Sequence, residues 1–424
     1  MKWRLIPGAI LALLAGVAHA DDLSGNSVEL YGTLDVAIGT VEHSANGSGL
    51  EAITIDPERV AVANYHRVTG VFNGGLSDSR WGIRGTEDLG GGLHSFFDLE
   101  SGFSLQSGSI NNAAAAIAGT NNTTTGASAL DGQLFNRGAY VGLRDDKYGS
   151  ISFGRSTTLG YDTLMSYDPL SFAQLFSPFG YSGSFSAGGI TEGSRTDNNV
   201  KYTNKIGDFK VGLSYGFGNA AGNFRAGSSF GADLGYEAHS LSVDAGYYYA
   251  RDIVHSGALV GANPVGSPLI GSYVGTLTLN NDEDAYLVGK YSFGALTLKG
   301  GYERYELKPP SDPTVAGATT NYYGFDGTLV NTLYATKTNV YFFGGDYKVT
   351  PALDVVAGFY DTQLVQSAHV AGGNQLEYSL LVDYNLSHRT DVYVGYMFSK
   401  FNGAEFVGYE PTNYVAAAGI RTTF

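Results

Sequence analysis

Residues 79–103 spell out a hairpin in which each strand has one apolar face and one charged face. On the first strand Trp81 and Ile83 alternate with Arg80, Gly82 and Arg84, the two-residue period of an extended chain. Glu87, Asp88 and Leu89 lead into Gly90, Gly91 and Gly92, and a glycine run makes a turn because it takes positive φ without steric cost. On the second strand Leu93, Phe97, Leu99 and Phe103 share one face, and His94, Asp98 and Glu100 the other. A water-soluble sheet turns its charged face to solvent and its apolar face to a core. A membrane barrel turns the apolar face to lipid and the charged face to a lumen. The hairpin alone fits both.

The connections separate the two. Alternating segments recur at 28–38, 135–144, 150–155, 195–202, 209–217, 229–236 and 241–251, and again at 284–293, 295–306, 338–348, 353–364, 375–386, 391–399 and 413–424. With the hairpin this gives about sixteen strands, an even number as bacterial outer-membrane barrels have. Tight turns such as 145–149, 237–240 and 387–390 alternate with long polar connections such as 42–77, 106–132 and 156–194. Roughly 25 residues per strand and connection suffice for a membrane-crossing strand plus a loop. A soluble sandwich has no need of long loops at one end only, and no blade period of a propeller is visible. The expected fold is all-β, a sixteen-stranded antiparallel transmembrane β-barrel.

Composition agrees. Sixty glycines, 30 tyrosines and 23 phenylalanines accompany only 15% charged residues, below the roughly 25% usual for soluble domains. Residues 1–20 have the form of a cleaved leader: Lys2 and Arg4, an apolar run from Leu5 to Val17, and Ala18-His19-Ala20. That run is too short for a spanning helix. The expected domains are a signal peptide over 1–20 and a barrel over 21–424. The formal charge of −15, which loss of Lys2 and Arg4 takes to −17, argues against nucleic acid as a partner. The absence of cysteine removes disulfides and thiolate metal sites.

Alternation also assigns the lumen charges. Glu29, Asp35, Asp98, Glu100, Asp244, Asp346 and Asp383 fall on the polar face of their strands, as do Arg80, Arg84, Lys201, Lys290, Lys299, Lys348 and Arg421. The signs nearly balance, so strong ion selectivity does not follow. Arg155 shares the parity of Ile151 and Phe153, and Arg137 that of Ala139 and Val141. A charge on the lipid face costs about 2–4 kcal/mol at mid-bilayer, so a bulge or a strand end must re-aim them. Residues 156–194 carry Tyr161, Asp162, Tyr167, Asp168 and Glu192. If this loop dips inward its carboxylates face the wall arginines; if it lies over the barrel mouth they are solvated. The residues leave both open. Residues 212–216 match G-x-S-x-G, but mid-strand and without a following helix, so Ser214 is not a nucleophile elbow. The eight histidines show no metal-binding spacing, and the acidic run 281–284 lacks the EF-hand pattern, so neither a metal nor a cofactor is expected.

Several stretches resemble the motifs of Gram-negative general porins of the β-proteobacterial, Neisseria-like type. They are VELYGTLD at 28–35, SRWGIRGTEDLGGGL at 79–93, NRGAYVGL at 136–143, YGSISFGR at 148–155, DNNVKYT at 197–203 and the terminal Phe424. The resemblance implies a homotrimeric channel, not an enzyme, in outer-membrane lipid and lipopolysaccharide, passing ions and small hydrophilic solutes. It implies that the third long loop folds into the lumen, with Arg80, Arg84, Arg137 and Arg155 on the basic side of a constriction. Asp162, Asp168, Tyr161 and Tyr167 then stand on the loop side. It further implies that Phe424 is read by the barrel-assembly machinery. A substrate-selective alternative has Tyr161, Tyr167 and Phe179 lining a specific path.

Overall fold

The computed structural model describes residues 26–44, 66–108, 110, 134–182, 193–219, 222–251, 255–256, 277–278, 281–308, 311, 321–322, 325–326, 337–365, 372–403 and 412–424. The leader and Glu192 lie outside them. The strands are β1 (Ser27–Ser44), β2 (His66–Asn73 continued by Arg80–Gly90), β3 (Leu93–Gly102), β4 (Gly138–Asp145), β5 (Gly149–Thr157), β6 (Arg195–Ile206), β7 (Phe209–Gly216) and β8 (Ser229–Ala238). The second half has β9 (Leu241–Ala250), β10 (Asn281–Phe293), β11 (Leu296–Lys308), β12 (Lys337–Thr350), β13 (Leu353–Leu364), β14 (Gly373–Asn385), β15 (Thr390–Gly403) and β16 (Thr412–Thr423).

Each strand pairs antiparallel with the next, and β16 returns to β1 from Thr33↔Thr423 to Glu42↔Tyr414. The sheet is therefore a closed sixteen-stranded barrel without a free edge, which lets every strand bond its backbone away from water. Two backbone bonds between Gly32 and Phe424, both 3.1 Å, complete the seam.

Alternation fixes which way each side chain points. Val28, Leu30, Ile38, Val141, Leu213, Leu234, Leu287, Phe343, Leu380 and Val394 are exposed on the outer wall, an apolar band far larger than a soluble surface carries. Ile83 pairs with Leu30 and Leu99 on that outer face, while Arg84 lies between Glu29 and Asp98 on the inner one.

Residues 66–73, read from sequence as part of a loop, are instead the upper half of β2. They pair with the far half of β1, from Val36↔Asn73 onward, while Arg80–Gly90 pairs with its near half. Strict alternation is lost here because Val71 and Phe72 are adjacent and Gly70 has no side chain, so pairing rather than pattern makes the strand. Residues 74–79 bend between the two halves.

The third long connection folds inward and is partly helical: α1 (Leu159–Tyr167) and α2 (Pro178–Ser182). The Thr158 hydroxyl caps α1 by accepting from the Tyr161 N–H at 3.0 Å. The hydrophobic core of the molecule lies here, inside the barrel. Leu164, Tyr167, Leu170, Phe172, Phe176 and Phe179 of the loop are buried against inward residues of the wall, among them Val288, Val340, Phe342, Tyr360, Leu381 and Tyr393.

Candidate pore constriction

The in-folded loop leaves a water-accessible space of about 520 Å³ against β1–β3 and the β14–β16 side of the barrel. Arg80, Glu100, Arg137 and Asp78 line one wall of it, Tyr161, Asp162 and Met165 the loop side, and Arg421 and Asp391 the far side.

The basic wall is held by its own acids. Glu100 receives Arg137 Nε at 2.7 Å on one oxygen and Arg80 Nε at 3.3 Å on the other. A second contact joins Arg137 to Asp78 at 3.0 Å. Arg137 sits just before β4 begins, so alternation does not bind it, and its side chain turns inward. Across the space Arg421 meets Asp391 at 2.9 Å and Asp383 at 3.7 Å. Sequence reasoning missed Asp78 and Asp391, which line the space, and Arg195, whose Nε donates to the Arg137 carbonyl at 2.9 Å and whose guanidinium lies 5.5 Å from the Tyr161 ring centre. For Arg195, its place at the start of β6, straight after the loop, was the available signal.

Two of the four expected arginines stand elsewhere. Arg84 is on the lumen face, stacked 4.7 Å over Tyr31 and paired with Glu29. Four residues of strand, roughly 13 Å, separate it from Arg80, and it does not line the constricted space. Arg155 is nearly buried behind that space, bonding the Asn136 carbonyl at 2.8 Å and Asp197 at 2.7 Å. The register slips between Gly154 and Ser156, which releases Arg155 from the outward parity of Phe153.

On the loop side Tyr161 and Asp162 reach the space, while Tyr167 and Asp168 turn to the wall. The cause is helical geometry. Residues 161, 162 and 165 share one face of α1, and Leu164 and Tyr167 the other. The Tyr167 hydroxyl donates to Asp244. Asp168 is fully buried and accepts from the Phe172 N–H at 2.7 Å, the Ser177 hydroxyl at 2.9 Å and the Tyr360 hydroxyl. Burial pushes its carboxyl above the ordinary range, against the pull of those donors. Asp162 is itself paired with Lys201. The acids paired with Arg80 and Arg137 therefore come from the wall and the 74–79 bend; of the two loop acids expected there, Asp162 reaches the space and Asp168 does not. Phe179, like Tyr167, is buried in the core and lines no path.

A family model described as Gram-negative porin matches residues 8–404. The chain belongs to the Gram-negative porin family. An outer membrane porin protein of Bordetella pertussis is 30% identical, with 94% of each chain covered. Outer membrane porin protein 32 of Delftia acidovorans is 26% identical over 99% of this chain and 95% of its own. Among solved structures, the anion-selective porin from Comamonas acidovorans superposes with a TM-score of 0.64 at 21% identity, over 94% of this chain and all of that one. As a porin of the outer membrane of a Gram-negative bacterium, the chain forms a channel for passive diffusion. Sixteen strands enclose a lumen wide enough for water, where eight would fill with side chains.

Proposed function

We propose that this porin passes ions and small hydrophilic solutes through an eyelet whose selectivity is set by Arg80 and Arg137, shared between Glu100 and Asp78, opposite Tyr161 and Asp162. The observation that carries it is the convergence of those two guanidiniums on a space that the in-folded loop narrows. Every charge lining that wall has a partner, which supports a modest preference that weakens with salt. A net anion preference is in keeping with the likeness to the anion-selective porin of Comamonas acidovorans. Removal of residues 1–20 after Ala20, homotrimeric assembly, contact with lipopolysaccharide and recognition of Phe424 by the assembly machinery belong to the same reading, supported by the family likeness.

Reversal potential across a salt gradient in a planar bilayer tests the eyelet. R80Q together with R137Q is expected to move the permeability ratio toward cations by about fivefold at low salt, the equivalent of ~1 kcal/mol for a charge pair in water. An unchanged ratio at low salt would rule the assignment out.

A further inference from the structure

The lumen face of β1 holds a carboxylate that touches no water and lines no part of the eyelet. Asp35 is fully buried, and its two oxygens gather five donors. One accepts from the Gly75 N–H at 3.1 Å and from the Tyr393 hydroxyl. The other accepts from Leu76 N–H at 3.0 Å, Ser77 N–H at 2.7 Å and the Ser77 hydroxyl at 3.4 Å. The backbone of Asp35 adds more: its carbonyl accepts from the Gly74 N–H and the Ser79 hydroxyl, both at 3.0 Å. Successive amides converging on one carboxylate make a charge-assisted cradle that leaves the segment a single shape.

That segment is the 74–79 bend, and both its edges meet the eyelet. At one edge Asp78 reaches Arg137 at 3.0 Å, and its carbonyl accepts from Arg80 Nη1 at 3.1 Å. At the other, the Gly75 carbonyl accepts the Leu175 N–H of the in-folded loop at 3.0 Å, and Leu76 is buried in the core beneath that loop. We propose that Asp35 is a positioning residue for ion selectivity: it moulds the bend that delivers Asp78 to Arg137 and latches the loop beside it. The inference rests on the eyelet reading above.

Asp35 also sits opposite Arg421 in register, so removing its charge alone can move selectivity. A substitution without charge change separates the two effects. A Cβ on Gly75 falls 2.3 Å from the Tyr393 hydroxyl oxygen, and that oxygen is already hemmed in by Gly419. Gly75 does not adopt positive φ, so G75A acts through this contact, displacing the bend or the tyrosine, both of which belong to the cradle.

Reversal potentials at low salt are measured for G75A, D35A, D35N and D78N, with the folded barrel verified by heat-modifiable gel migration. D78N strips Arg137 of one acid and is expected to raise anion preference about twofold or more. G75A and D35A are expected to follow it in the same direction, D35N, which keeps an acceptor oxygen, to fall between, and G75A/D78N to match D78N alone. Should D35A not fold, G75A and Ser79→Ala carry the test. A wild-type ratio in G75A with equal shifts in D35N and D35A overturns the proposal, since Asp35 then acts by charge only. An unmoved ratio in R80Q/R137Q instead overturns the eyelet reading beneath it.

Discussion

At the scale of single residues, one carboxylate holds both guanidiniums of the proposed eyelet. Glu100 is shared by Arg80 and Arg137 and also accepts from the Tyr31 hydroxyl at 3.2 Å. Neutralising it frees two guanidiniums at once, so E100Q is expected to shift permeability toward anions more than D78N does. Reversal potentials of the two variants, recorded side by side, decide it. Asp168 is a different kind of acid. Its oxygens bind loop to wall rather than ions, so D168A is expected to leave the sign of selectivity unchanged and to increase current noise as the loop loosens. D168N keeps one acceptor oxygen for the three donors that the carboxylate gathers, so it is expected to fall between D168A and wild type. Alternation placed Glu100 on the lumen face from sequence alone. It had no means of placing Asp168, whose direction depends on a nine-residue helix inside what reads as a polar loop.

At the scale of elements, the in-folded loop is a small hydrophobic core that uses the barrel wall as its other half. The wall makes room for it at glycines. A Cβ on Gly395 falls 2.5 Å from the Phe176 ring, and one on Gly358 falls 2.4 Å from Leu170. Phe176 is fully buried there, and the Ser379 hydroxyl donates to its carbonyl at 2.6 Å. Truncating a buried phenylalanine costs about 3–5 kcal/mol, here charged to loop anchoring rather than to the barrel. F176A and G395L are thus expected to widen the eyelet and to raise single-channel conductance, with gel migration of the folded barrel unchanged. A conductance equal to wild type in both would mean that the rest of the loop holds without this socket. The inner apolar residues Val340 and Phe342 alternate with outer Tyr341 and Phe343, so β12 reads as apolar on both faces. Only the loop beneath explains why.

At the scale of the whole molecule, orientation is the testable quantity. Leu287 points outward and is 56% exposed, while Ser292 shares the lumen face with Thr297, whose hydroxyl is 3.1 Å away. An arginine at Leu287 is expected to cost about 2–4 kcal/mol at the bilayer midplane, and one at Ser292 about 0.5 kcal/mol or less. Reversible urea unfolding in lipid vesicles measures both. Similar costs at the two positions would contradict the inward and outward assignment. The strand count, the alternation of turns with loops and the facing of most wall charges were legible in the chain. They follow from a period of two and from the chemistry of turns, which are local. The His66–Asn73 half of β2 was not legible, because its residues obey no period and its pairing partner is the far end of β1.

The hairpin at 79–103 shows the same division. Its sequence by itself determined that Trp81 and Ile83 face away from Arg80 and Arg84, since successive side chains of a strand alternate whatever surrounds them. It also determined, with the motifs around it, a barrel in a membrane. Only the tertiary structure decided that Arg80 and Arg137 line the space beneath the loop and Arg84 does not, that Arg195 lies against Tyr161 without lining it, and that the acids paired with those two arginines are Asp78 and Glu100 rather than Asp168. Those assignments depend on how far along each strand the loop crosses the lumen. That height is set by contacts between residues more than a hundred positions apart, such as Phe176 with Gly395 and Asp168 with Tyr360. No local pattern encodes it.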